Sequence, residues 1–319
     1  MRTIFRSIAL TALLSGLATL HAFAQGGVTN STKNPQQIAT LHWYSANNTT
    51  TFSVGGFALG IAYDGANMWL PSEATNSVIK LRVNDGAVLG NFPVGNYPDA
   101  LAYDGANMWV ANANDGTITK LRGSDGTVLG TFNTGSLPGG VAFDGRNIWV
   151  ANSGSNNVTE LRASDGTPVG TFAVGQNPTH LAFDGNNMWV TNTGANTVTK
   201  LSGKGAVLGT FTVGGSPRGI AFDGASMWVA CGLTNNVYKL RSDGSVQGKF
   251  VVGTTPYGVA FDGANIWVVS FANSNVTKLA SSNGALIGTF SVGGGPEEIA
   301  FDGAFLWVVN VNDSTVSKL

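Results

Sequence analysis

The sequence predicts an all-β seven-bladed β-propeller, with four antiparallel strands per blade and a last blade closed by an N-terminal strand at 50–54. Three observations carry that reading. Seven tryptophans fall at 69, 109, 149, 189, 228, 267 and 307, always 39 or 40 residues apart. Each stands in nearly the same text, as in 138–174, PGGVAFDGRNIWVANSGSNNVTELRASDGTPVGTFAV. The composition agrees, with 44 Gly and only 11% charged residues in 319. So much Gly would weaken helices, and a disordered chain would be richer in charge and poorer in aromatics.

Ahead of the repeats, Met1 to Ala24 reads as a secretory signal. Arg2 and Arg6 form its positive start, and Ile8 to Leu20 is mostly apolar and short for a membrane span. Ala22-Phe23-Ala24 is an A-x-A cleavage site, so the mature chain is expected to begin at Gln25. The alternative is an uncleaved anchor. After Gln25 no apolar run approaches the ~20 residues of a spanning helix. Residues 25–49 form a polar extension carrying the cluster Leu41-His42-Trp43-Tyr44.

Each repeat unit then resolves into four short strands. In the third unit these are GVAF, NIWVAN, NVTELR and PVGTFAV. Asp144-Gly145 turns between the first two, and Ser164-Asp165-Gly166 between the last two. Membrane barrels need strands of ~9–11 residues, and solenoids have shorter periods. The WD40 signature is missing, because each repeat Trp is followed by Val or Leu. The array opens at Thr50-Thr51-Phe52-Ser53-Val54, which matches a fourth strand, and stops at Val316-Ser317-Lys318-Leu319, which matches a third. Residues 50–54 are therefore expected to complete the blade made by 296–319, which removes an open edge.

The repeated residues read as structure. The seven Trp occupy one mid-strand position and are expected in the core rather than in a stacking platform. The Phe or Tyr before each Asp-Gly (Tyr63, Tyr103, Phe143, Phe183, Phe222, Phe261, Phe301) is expected in the same aromatic layer. The seven Asp-Gly pairs suit the hairpin, with Gly at positive φ. One carboxylate per blade cannot gather the 6–8 oxygens of a calcium site, and no metal ligand set is read.

Positions that differ between units are free for binding. Connections alternate between the two faces of the disc, and the face carrying the loops after strands two and four varies. After the loop proline the units read Leu59, Asp99, Gly139, Thr179, Arg218, Tyr257, Glu297, and then Gly60, Ala100, Gly140, His180, Gly219, Gly258, Glu298. Small residues suit the crowded axis, and His180 and Glu298 break that rule. His180, Arg218, Tyr257, Glu297 and Glu298 form an arc over blades 4 to 7, with Asp99 beyond the first blade. Two readings stand, a binding site at the channel mouth or drift at solvated loops. Cys231 takes a place held by Asn in four other units. It reads as a small buried substitute rather than a nucleophile served by His180.

The unit resembles the YVTN repeat of YncE-like seven-bladed propellers. Trp-Val-Ala-Asn at 109–112 and 149–152 stands where that family has Tyr-Val-Thr/Ala-Asn. The resemblance implies the fold and an exported protein, and says little of chemistry, because propellers host unrelated activities. A neighbouring family on the same ring, virginiamycin B lyase, opens a cyclic ester with a histidine base and a divalent metal held by a carboxylate. Its units read more like GPDGNLWFTE, and its His-x-Glu-type cluster has no counterpart here. No cofactor-docking motif is read either, so no cofactor is expected.

The expectation is a periplasmic or secreted, non-catalytic binding or interaction scaffold. Its partner would be a small molecule, a peptide or a cell-envelope protein, and the chain is expected to be a monomer. With 17 Lys+Arg against 18 Asp+Glu, it has no charge footprint for duplex nucleic acid. The alternative is a lyase or hydrolase at the same mouth, working through His180 and Glu297 or Glu298. A separation of His180 and Glu298 beyond ~10 Å would remove shared acid–base work.

Overall fold

The computed structural model describes residues 49–319. The expected signal segment 1–24 and the expected extension up to residue 48, with Leu41-His42-Trp43-Tyr44, lie outside the described residues. Residues 49–319 form seven four-stranded antiparallel sheets. Blade 3 is typical: Pro138–Phe143 innermost, then Asn147–Asn152, Asn157–Arg162, and Pro168–Ala173 at the rim. Among the described residues no helix is long and apolar enough to cross a membrane.

Blade 7 closes as expected. Its own strands Pro296–Phe301, Leu306–Asn310 and Thr315–Lys318 are completed by Thr50–Ser53, with Thr50 opposite Lys318 and Phe52 opposite Val316. The closing strand ends at Ser53. Val54 adds a last N–H bond to the Ser314 carbonyl at 3.1 Å, and Gly55 and Gly56 then turn the chain away at positive φ. Blade 1 departs from the four full strands expected. Its inner strand is only Ala62–Tyr63, preceded by an isolated bridge between Ala58 and Ser72.

The tryptophans hold neighbouring blades together. Trp149 of blade 3 packs with Met188, Val190 and Leu201 of blade 4, and six of the seven are fully buried. Burying ~200 Å² of each indole is worth roughly 5 kcal/mol gross. A second aromatic ring joins this layer. Each Trp stacks on the outer-strand Phe of its own blade, as Trp149 does on Phe172 at 5.7 Å and Trp307 on Phe52 at 5.6 Å. The reason lies in the register. Trp149 faces Glu160, which faces Gly170, and the missing side chain at Gly170 leaves room for the Phe172 ring. The Phe or Tyr before Asp-Gly lies at the margin of the same clusters, partly buried.

The Asp-Gly aspartates do more than turn the chain. Asp64 Oδ1 accepts the N–H groups of Ala66 and Asn67, while Oδ2 accepts the indole N–H of Trp69 at 2.7 Å. All seven blades repeat the indole bond at 2.7–2.8 Å. Six blades also place a Lys across the strand from the Trp, its ammonium 4.5–5.0 Å from the ring centroid. Five of those ammonium groups donate to a carbonyl in the outer turn of the next blade, as Lys80 does to Gly123 at 2.7 Å. Each such lysine staples two blades while satisfying its own charge.

Phe52 carries both the closing strand and the Trp307 stack. Phe52→Ala is expected to lower stability by about 3 kcal/mol, more than the same change at a rim position such as Leu89, measured by urea unfolding.

Candidate functional site

The inner strands carry one residue too many. In blade 2 the chain runs from Pro98 to Leu101 opposite Asn112 to Val110, and blades 3 to 7 have the same excess just after their proline. Such a β-bulge re-aims side chains. Here it re-aims the positions that vary between units.

Crowding sets which of them can be large. A Cβ on Gly140 would strike the Thr179 carbonyl of the next blade, and one on Gly219 the Tyr257 carbonyl. Glycines also make room for the acids. The Asp99 carboxylate lies over Gly139, where a Cβ would come within 2.9 Å of Oδ2, and Glu298 Oε2 lies equally close over Gly258.

Asp99, His180, Arg218, Glu297 and Glu298 line one cavity of about 400 Å³. Leu101, Leu181, Ile220 and Val259 also line it. Tyr257 stands behind Arg218, with its ring centroid 4.0 Å from the guanidinium carbon, and packs on Phe271 at 5.3 Å. The two ends of the arc meet. His180 Nε2 and Glu298 Oε1 meet at 2.8 Å, so the pair spans from blade 4 to blade 7. Asp99, beyond blade 1, shares the same cavity.

Blade 4 is built to hold the histidine. Thr191 Oγ1 accepts the His180 N–H at 3.1 Å, and Thr179, Thr191 and Thr193 interlink through their hydroxyls. Thr193 Oγ1 then donates to the Pro217 carbonyl of blade 5 at 2.6 Å. Other units have Ala, Val or Pro at the place of Thr191, so blade 4's Trp-Val-Thr-Asn was the signal to read. Tyr97 was also missed. It lines the cavity from the residue before the loop proline, where the units read Phe57, Tyr97, Leu137, Asn177, Ser216, Thr255 and Gly295. That position varies as much as the two that follow the proline.

Charge is unbalanced at this mouth. Burial, with Glu298 nearby, pushes Asp99 up to about 7, although His180 and Arg218 pull it down. Burial pushes Glu297 to about 7 as well, reinforced by Glu298 and Asp99. Neither carboxylate has an ion pair among the described residues. Burial opposes a charge on His180, but the Glu298 carboxylate prevails and raises its pKa. The other ring nitrogen, Nδ1, has no partner and is closed off from solvent. Cys231 is buried, and desolvation lifts its thiol to about 12, so it is no nucleophile at neutral pH.

These shifts act in one direction. A carboxyl or imidazole whose pKa is raised on folding adds stability below its unfolded pKa and loses it as pH rises through the folded value. The mouth is thus most stable in mild acid and strained above about pH 7. In Asp99→Asn/Glu297→Gln the gain in Tm over the parent is expected to be absent near pH 4. It should grow through pH 7 and reach about 4 °C or more at pH 8, read by thermal melts across pH.

No protein-family model matches the chain, and no curated protein matches it. Solved structures do. A streptogramin B lyase structure is 18% identical, covers 85% of this chain and 96% of its own, and has a TM-score of 0.74. The selenomethionine-substituted virginiamycin B lyase from Staphylococcus aureus is 17% identical, with 85% and 98% covered and a TM-score of 0.74. Kuenenia stuttgartiensis hydrazine synthase is 18% identical, with 84% and 97% covered and a TM-score of 0.74. At such identities the likeness establishes the fold, a seven-bladed propeller of four-stranded blades like that of the virginiamycin B lyase neighbours.

Proposed function

We infer that the protein is a non-catalytic binding propeller whose channel mouth takes a small cationic ligand, either a free amine or an amine presented by a peptide or cell-envelope protein. One observation carries this. Asp99 and Glu297 face a cavity of about 400 Å³ without an ion-pair partner, beside Leu101, Leu181, Ile220 and Val259. His180 is hydrogen-bonded to Glu298 and Arg218 lies against the Tyr257 ring, and neither forms an ion pair with Asp99 or Glu297. A ligand with a positive head and an apolar body supplies the missing charge and covers the walls. Bound in this way, it draws both carboxyls into their ionised form and releases protons.

Membership of the YncE-like YVTN group belongs to this reading, supported by Trp-Val-Ala-Asn at 109–112 and 149–152. So does a monomer in the periplasm or outside the cell, supported by the Arg2/Arg6 start and the Ala22-Phe23-Ala24 site. Export gives a plain expectation: the intact mass of protein from the producing cell's periplasm or medium should begin at Gln25. A mass that retains Met1 would remove this part.

A second reading, a lyase or hydrolase, is favoured by the 2.8 Å contact of His180 with Glu298, well inside the limit set for shared acid–base work. Two features weigh against it. Nδ1 of His180 is sealed from solvent, so it offers no base to a substrate. The Glu298 carboxylate also raises the pKa of the ring and so favours its protonated form. The divalent ion that the lyase resemblance implies does not fit the residues present. Among the described residues no three His, Cys, Asp or Glu side chains converge, and Glu298 is already held by His180.

A charge series on one body tests the reading. Phenethylamine is expected to raise the Tm at pH 8, while phenethyl alcohol and phenylacetate leave it unchanged. The shift should shrink at pH 5 and vanish in Asp99→Asn/Glu297→Gln. Equal shifts for all three compounds would overturn the cationic class. Ring opening of a cyclic depsipeptide, abolished in His180→Ala, would overturn the non-catalytic assignment.

A further inference from the structure

The seven blades serve as internal controls for one another, and blade 3 breaks their charge pattern. Lys80, Lys120, Lys200, Lys239, Lys278 and Lys318 occupy one repeated position, and blade 3 has Glu160 there. In the lysine blades three groups surround the ammonium. They are the Trp face, the Asp-Gly carboxylate of the same blade at 3.4–4.0 Å in four of them, and in five a carbonyl of the next blade's outer turn.

Blade 3 keeps all three cation-seeking groups and lacks the cation. Trp149 and Asp144 remain, joined by the indole N–H bond at 2.7 Å. In the next blade Gly203 follows Ser202 as Ser242 follows Arg241 in blade 5, and the Ser242 carbonyl is the one that Lys200 reaches. The Gly203 carbonyl therefore stands where a lysine would donate. In place of the ammonium comes a second carboxylate. Glu160 is 1% exposed, and its Oε1 accepts the Asn147 amide at 2.6 Å. Its Oε2 is closed off from solvent and has no partner. A glutamate carboxylate also reaches one bond less far than a lysine ammonium, which leaves space at the end of the side chain.

A buried carboxylate oxygen without a donor, beside a second carboxylate, is a costly arrangement. Arg146 does not resolve it. It takes the turn position held by Ala or Asn in the other units and pulls the Glu160 pKa down, but burial, with Asp144 nearby, leaves that pKa raised. Its side chain is nonetheless exposed and forms no ion pair with Glu160 or Asp144. Lys204, in the blade 4 turn, is exposed as well.

We propose that a monovalent cation of potassium or ammonium size occupies the lysine's vacated place between blades 3 and 4, held by Glu160, Asp144, the Gly203 carbonyl and the face of Trp149. The size follows from the ammonium it replaces. The aromatic face favours a weakly hydrated ion. A divalent ion is a poor fit, since calcium asks for 6–8 oxygens and this place offers fewer. The cation takes over the staple that lysine provides in the other blades, so its role is to bind blade 3 to blade 4. This site is independent of the channel mouth.

The test compares thermal melts of the intact protein at pH 7.5 in KCl, NH4Cl and N-methyl-D-glucamine chloride at equal ionic strength, so that screening is the same. The protein is expected to melt about 3 °C or more higher in potassium or ammonium, saturably with concentration. Glu160→Gln should abolish that difference. Glu160→Lys should abolish it too and hold the Tm at or above the potassium value. Equal melting of the parent protein in all three salts would overturn the proposal, and this comparison needs no variant to fold. A cation response that survives in Glu160→Gln would overturn it as well. So would a Tm that rises equally in all salts between pH 7 and pH 5 without a cation effect, since a proton on Glu160 would then fill the place.

Discussion

Seven inner strands meeting around one axis leave little room, and the rest of the molecule answers to that crowding. It demands Gly140 and Gly219, where any Cβ would meet the neighbouring backbone. The bulge after each loop proline sits at the same level, with one more residue than its partner strand. Where a blade departs from small residues at this level, the side chain has only the channel to enter. His180 and Glu298 both do so, and they find each other.

That meeting gives the mouth its electrostatic character. One acid is hydrogen-bonded to the histidine, and the arginine lies against an aromatic face. Asp99 and Glu297 are left desolvated and unpaired, with pKa values lifted to about 7. An interior that held only structural polar groups would pair them. That imbalance is the observation from which a positive ligand is proposed.

The perimeter of the core follows a different logic, in which one repeated module does several jobs. The Asp-Gly carboxylate fixes its own turn and orients the indole, and the lysine opposite covers that indole while reaching the next blade. A single exchange, Lys for Glu160, therefore disturbs both a blade and its neighbour. The ring itself needs no cap at its seam, because Thr50–Ser53 supplies the strand that the last blade lacks.

Much of this was legible in the residues. The spacing of the tryptophans fixed the number of blades, since a period near 40 accommodates four short strands and little else. The strand-like text at 50–54 and the truncated last unit announced the seam. Five of the six candidate residues line the cavity and the sixth supports one of them, because comparing repeats isolates positions the fold does not constrain. What stayed hidden depends on distances across the chain. His180 and Glu298 are 118 residues apart, and only the curvature of the closed ring brings them to 2.8 Å. The Trp–Phe stacks depend on register and on a gap at an outer-strand glycine, which no spacing reveals. The unpaired state of Asp99, Glu297 and Glu160 is likewise decided in three dimensions. Sequence specifies which charges are present, and packing alone determines which of them have a partner within reach.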